Sequence, residues 1–300
     1  MELPATGHDP VLLAEVLSGL GAGPGKTYVD CTLGRGGHAL AIGELLGPTG
    51  LLVGLDADER NLNYAADRLS GLTCQRRLFH ANFADLAEVL GEVGLKTVDL
   101  ILADLGVSTN QLFQSEYGMS ISVAGELDMR LDRSRGTSAA DIVNRWPEEK
   151  IANVLYDNAD ERFSRRIARK ITAERRASPI LTTDRLADVV RAAIGGRSDP
   201  DGIDPATRTF QALRMEANRE VPNLERLLQR APGFLAPAGR LGVISFHSGE
   251  DRLVKQAMRL LDGAGGYHVL TKKPLAPSED EVRSNPRSRS AKLRILEAKV

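Results

Sequence analysis

Three aspartates and a run of glycines carry the chemistry legible in this chain. Asp30 stands four residues before Gly34 in the stretch Asp30-Cys31-Thr32-Leu33-Gly34-Arg35-Gly36-Gly37-His38, Asp56 lies 20 residues beyond Gly36, and Asp104 sits in Ala103-Asp104-Leu105-Gly106. Glycines, having no Cβ, let a backbone turn sharply and come close to a ligand. Acids at the ends of neighbouring strands hold ribose hydroxyls or a cationic group. Such a set suits a nucleotide-like ligand cradled on backbone amides. A second cluster, Ser245-Phe246-His247-Ser248, adds a ring that can stack on a base and an imidazole that can handle a proton.

The elements around these residues alternate. Strands are expected at 27–33, 51–55, 73–79 and 98–102, with amphipathic helices at 39–46, 59–69 and 83–93 between them. That βαβ rhythm predicts a parallel sheet covered on both faces. The glycine turn joins the first strand to the first of these helices, the usual opening of a doubly wound nucleotide-binding sheet. The preceding run Gly21-Ala22-Gly23-Pro24-Gly25-Lys26-Thr27 ends like a phosphate loop. Leu20 occupies the place of that motif's first glycine, however, and a strand rather than a helix follows, so it reads as a turn.

From about Leu112 to Asp204 strand patterns cease, and helices are expected at 138–145, 147–158, 160–176 and 183–194, followed by the loop-rich exit 195–205. The α/β pattern then resumes with one long helix at 206–228, strands at 242–246, 267–271 and 293–296, and a helix at 251–261. The fold class predicted is α/β: a doubly wound, mostly parallel seven-stranded sheet with an inserted all-helical domain. The expected divisions are 1–112 and 205–300 for the sheet and 113–204 for the insertion.

Composition bounds the function. A chain of 300 residues with 42% hydrophobic residues and a net charge of −1 can bury a sizeable core without staples. Two cysteines, Cys31 and Cys74, give no disulfide framework. The start MELPATGHDP has neither the basic nor the apolar region of a signal peptide, and no apolar run is long enough to span a membrane. A cytoplasmic protein is expected. No clustered Cys/His set points to a metal.

Two ligand classes fit the glycine turn. Gly34-x-Gly36-x-x-Ala39 matches the dinucleotide fingerprint, with Asp56 at the ribose position, so an NAD-dependent oxidoreductase is a real rival. Asp30 favours S-adenosylmethionine, because a carboxylate there suits a cationic ligand and is awkward beside a pyrophosphate. Asp104 at the end of the fourth strand favours it too, and no hydride-transfer set of Tyr, Lys and Ser accompanies the crevice.

Nine blocks in order carry a resemblance along nearly the whole chain: HDPVLLAEVL, DCTLGRGGH, LDAD, ADLGVSTNQL, ELDMRLD, ERFSRRIARKI, PATRTFQALRMEAN, GRLGVISFHSGEDR and NPRSRSAKLR. The chain resembles the bacterial 16S rRNA cytosine-N4 methyltransferase family, class I enzymes with a helical insertion. The resemblance implies that Gly36, Gly37 and His38 contact the methionine end of S-adenosylmethionine, Asp56 the ribose and Phe83 the adenine, with Asp104 and Gln111 completing the pocket. It also implies that the acceptor is a cytidine of the decoding region of 16S rRNA, within the small ribosomal subunit. This chain departs from the family pattern at Gly249, where a leucine is usual, and at 118–122, usually richer in aromatics.

Cytosine N4 is a poor nucleophile, since its lone pair is delocalised into the ring; Asp104 is the first candidate to draw its protons out of plane, with His247 to accept or relay a proton and Phe246 to stack on the base. Methylation at C5 would need a cysteine nucleophile, and neither cysteine lies at the crevice end of the fourth or fifth strand. Arg162, Arg165, Arg166 and Arg169 form a basic helix face beside the apolar stripe Phe163, Ile167 and Ile171. The tail adds Arg287, Arg289, Lys292 and Arg294. An aromatic share of 4% argues against a platform for long single strands and for one flipped base. A non-catalytic RNA-binding or ribosome-assembly protein is the remaining alternative. The oligomeric state is not fixed, and a homodimer stays open.

Overall fold

A computed structural model describes residues 10–195 and 204–300. Most of the N-terminal segment, with the start of the block HDPVLLAEVL, and most of the exit loop 195–205 lie outside the described residues. The chain divides into two compact units, Met1–Gly106 with Val221–Val300, and Val107–Glu220.

The first unit is built on seven strands: β1 (Thr27–Asp30), β2 (Leu51–Asp56), β3 (Gln75–His80), β4 (Val98–Asp104), β5 (Leu235–Ser245), β6 (Tyr267–Val269) and β7 (Lys292–Ala298). Their order is β3-β2-β1-β4-β5-β7-β6. β1 to β5 pair in parallel, and β7 runs antiparallel to both neighbours. The central strands β1, β2, β4 and the second half of β5 are mostly apolar runs, as burial on both faces requires, whereas the edge strand β3, Gln75-Arg76-Arg77-Leu78-Phe79-His80, is exposed or half-buried. One face packs Val29, Val53, Ile101, Ala103 and Val243; the other packs Tyr28, Leu52, Leu100, Leu102 and Ile244. Helices α1 (Leu13–Leu20), α2 (Gly37–Leu46), α3 (Glu59–Arg68) and α4 (Leu86–Val93) lie in the first part of this unit.

The second unit holds α5 (Thr109–Phe113), α6 (Ala139–Arg145), α7 (Glu148–Ala159), α8 (Ser164–Ala177), α9 (Thr183–Ile194) and α10 (Thr207–Ala217). Its core is separate, with Ile142, Leu155, Ile167, Ile171, Leu186 and Leu213 among its buried residues. The chain returns to the sheet through α11 (Glu220–Arg230), followed by α12 (Ser248–Gly263) and α13 (Glu279–Ser284).

All seven expected strands form, and three details differ. The helix expected over 206–228 is two: Arg219 takes a left-handed φ of 52°, and the Asn218 side chain turns back to the carbonyls of Met129 and Arg214. α10 therefore belongs to the helical unit, which runs to Glu220 rather than 204 and begins at Val107 rather than 113. The helix expected from Asp160 starts at Ser164, because Asp160 is the left-handed cap that ends α7. The turn Pro237-Ala238-Gly239 lies inside β5, where the register against β4 shifts between Val98 and Leu100.

Candidate active site

The order of the sheet reverses at β1, which has β2 on one side and β4 on the other; crevices at such switch points receive ligands. Here the carboxyl ends of four strands lie side by side. Asp30 is in register with Gly54 and Leu102, and Asp104 with Ile244. The ladder continues past the strand ends, with Leu33 N–H donating to Leu55 O at 2.8 Å and Leu105 N–H to Ile244 O at 3.0 Å. Asp30, Asp56 and Asp104 are thus brought to one edge, with Phe246 and His247 beyond the end of β5.

The glycine turn is shaped as its composition requires. Gly34 and Gly36 adopt φ of 52° and 75°, the left-handed region where a Cβ is costly. Gly36 is the N-cap residue of α2, and no side chain caps that helix. The amides of Gly37, His38 and Ala39 open its first turn, where an anionic group is favoured. A Cβ on Gly37 would press on Pro10 at 3.3 Å. His38 is buried; its Nε2 lies 2.9 Å from the Val11 carbonyl and its Nδ1 is 3.8 Å from Asp104 Oδ2. It therefore ties α2 to the segment before α1.

Each acid has a defined set of partners. Asp30 accepts from the Tyr28 hydroxyl at 2.8 Å and from Thr32 N–H at 3.1 Å. Asp56 accepts from Gly34 N–H at 2.6 Å and Asp58 N–H at 2.8 Å, while Asp58, not Asp56, caps α3. Asp104 differs: its Oδ1 is buried and has no hydrogen-bond partner. Burial pushes the carboxyl groups up, to about 6 for Asp30 and about 7 for Asp56, against the opposing pull of their hydrogen bonds. Asp104 rises to about 8, by burial first and then by repulsion from Asp30 and Glu250. A cationic ligand reverses such a shift by favouring the charged form. The uncapped amides, the glycine backbone and an unpartnered buried carboxylate oxygen fit a ligand that carries both a carboxylate and positive charge.

Some expectations change. His247 Nδ1 accepts from Glu250 N–H at 3.4 Å, so the ring caps α12. A neutral ring bonded that way keeps its proton on Nε2, which sits 3.2 Å from Glu250 Oε1 without hydrogen-bond alignment. Phe246 is partly buried and lies 3.7 Å from where a Cβ on Gly106 would stand. Phe83 packs partly buried against the core just after β3, in a short turn that Asn82 caps. Both thiols are pushed up by burial, which removes nucleophilic character.

Thr32 and Glu250 were not singled out by their residue types. The Thr32 hydroxyl accepts the Asp104 backbone N–H at 2.6 Å, and Glu250 Oε2 accepts Phe246 N–H at 3.0 Å. The second was legible as an acid three residues after the N-cap position His247, as in a capping box. The first had no local signal, since its partner is 72 residues away.

In the helical unit, Gln111 is buried and its Oε1 accepts Ser108 N–H in a capping box at α5. Arg165, Arg166 and Arg169 are exposed along α8, and Arg162 is exposed in the turn just before it. Arg169 reaches Glu148 at 3.8 Å, whereas Glu161 is buried and bonds Phe163 N–H, so it does not neutralise the ridge. In the sheet unit Arg289 is exposed and Arg287 half-buried. Lys292 and Arg294 do not extend that basic tail: they lie in β7 and pair with Asp251 at 3.4 and 2.6 Å.

This strand order with acids at the ends of β1, β2 and β4 and a glycine turn before α2 defines a class I S-adenosylmethionine-dependent methyltransferase. The chain belongs to the MraW methylase family, whose model matches residues 5–299. It is 44% identical over 304 residues to the ribosomal RNA small subunit methyltransferase H of Syntrophotalea carbinolica, covering 96% of this chain and 97% of that one. It is 45% identical over 298 residues to the protein of the same name from Acidobacterium capsulatum, covering 97% and 98%.

Proposed function

We propose that the protein methylates the exocyclic N4 of a cytidine in the decoding region of 16S rRNA, in the cytoplasm and within the small ribosomal subunit. The observation that carries the reading is Asp104: a half-buried carboxyl group with one buried, unpartnered oxygen, at the crevice end of β4. The family relationship supports the RNA substrate. S-adenosylmethionine, when bound, supplies an electrophilic methyl group.

The chain's own residues do the rest. The amides of Gly37 and His38, with the bend at Gly36, receive the cofactor's carboxylate. Asp56 already accepts two amides, and each of its oxygens retains a lone pair for a ribose hydroxyl. Phe83 packs toward the adenine, and the family relationship supports Gln111 as a further cofactor contact. Asp104 accepts a hydrogen bond from the cytosine amino group, which localises the N4 lone pair for attack, and then takes the departing proton. Phe246 stacks on the extruded base. His247 holds the start of α12, which keeps Phe246 in place. The basic face of α8, with Arg287 and Arg289, neutralises RNA phosphates.

Cofactor titration and an Asp104→Ala variant test this. The wild type should saturate with S-adenosylmethionine and not with NAD. Asp104→Ala should lose about 10²-fold or more in turnover while still binding the cofactor. Full turnover in that variant would remove Asp104 from the mechanism.

A further inference from the structure

A cleft of about 200 Å³ opens between α12 and the segment around β6. Its floor includes Met258 and Val269, and its rim carries Lys255, Arg259 and Lys272, with Arg294 beside them. Arg294 is neutralised by Asp251, and the one acid on the rim, Asp262, faces His268 at 3.5 Å. Lys255, Arg259 and Lys272 form no ion pair among the described residues. Three cations without an acidic partner thus line one cleft, and their mutual repulsion is relieved by an anion.

The cleft also has a direction. Arg252, Lys255 and Arg259 follow an i, i+3, i+7 spacing and share one face of α12. Arg252 is exposed and unpaired among the described residues, and it lies within two turns of Phe246 and His247. The track of positive charge begins beside the crevice and runs down the helix to the cleft. An RNA that delivers one base to the crevice must have its flanking backbone held nearby.

We propose that this cleft is a phosphate-binding subsite for the RNA backbone flanking the methylated base, an inference that rests on the reading of the protein as an RNA methyltransferase. The test is a triple variant, Lys255→Gln, Arg259→Gln and Lys272→Gln, which removes the three charges and keeps polar side chains at these half-buried and exposed positions. Binding of a 16S rRNA fragment is titrated against salt, methyl transfer is measured with rRNA and with small subunits, and S-adenosylmethionine affinity reports folding. The slope of log affinity against log salt should become shallower by about 2, and the KM for RNA should rise roughly tenfold. Turnover at saturating RNA and cofactor affinity should not change.

Equal RNA affinity and slope in variant and wild type would overturn the subsite. A loss seen only with assembled subunits would overturn it as well, assigning the cleft to a protein neighbour, as would a wild type that binds no RNA. The two claims separate cleanly. A wild type that binds RNA through these residues but transfers no methyl group leaves the subsite standing and the reaction fails. A wild type and variant that methylate with the same KM for RNA leave the reaction standing and the subsite fails.

Discussion

Asp104 is held in two ways at the end of β4: its backbone N–H donates to the Thr32 hydroxyl, and its side chain is pushed toward the neutral form by burial, Asp30 and Glu250. Without ligand it is largely protonated below about 8. A cationic ligand favours the ionised form, so binding should release protons and S-adenosylmethionine affinity should tighten from pH 6.5 to 8.5. Calorimetry in buffers of different ionisation enthalpy reads this directly, and a dissociation constant that does not vary with pH would contradict it. The same shift has a stability consequence. Because the folded pKa is raised, the native state holds more protons than the unfolded chain between roughly pH 4 and 8, and stability falls as pH rises through that window. Asp104→Asn removes the repulsion. The ligand-free variant should melt about 2 °C higher than wild type at pH 8.5, while losing about 10²-fold in turnover. A lower melting temperature in that variant would show that the charge is not under strain.

At the scale of elements, β5 and α12 place Phe246 and His247, and the joint between them is a cap. His247→Asn keeps a good capping side chain without an imidazole; it should retain turnover within a few-fold and near-native stability. His247→Ala should cost about 1 kcal/mol, measured by denaturant unfolding. A collapse of activity in the Asn variant would restore a proton-transfer role for the ring. The same joint shows what the sequence reveals and what it hides. The apolar runs of β1, β2, β4 and β5 and the glycine turn are legible because their periodicity and backbone demands are local. Asp30, Asp56 and Asp104 are legible as strand-end acids for the same reason. The break of the expected 206–228 helix depends on Asn218 reaching Met129, 89 residues away. Likewise, the partners of Lys292 and Arg294 come from Asp251, and the Thr32–Asp104 bond spans 72 residues. Spacing within a window cannot register contacts that only the folded sheet creates.

At the scale of the whole molecule, the two units have separate cores, so charge changes on exposed residues of the helical unit leave the core of the sheet unit intact. Neutralising Arg162, Arg165 and Arg166 to Gln together should raise the KM for RNA several-fold and reduce the salt slope by about 2. Cofactor affinity should stay at the wild-type value. Unchanged RNA kinetics would show that the α8 ridge is only a solvated face. The central claim concerns the reaction itself. The protein should be incubated with methyl-labelled S-adenosylmethionine and small subunits from cells lacking this modification, and the label located by nuclease digestion and mass spectrometry. Label on N4 of one decoding-region cytidine is the expected result. Label on a ring carbon or a ribose, or no label on subunits or naked rRNA despite saturable cofactor binding, would contradict it.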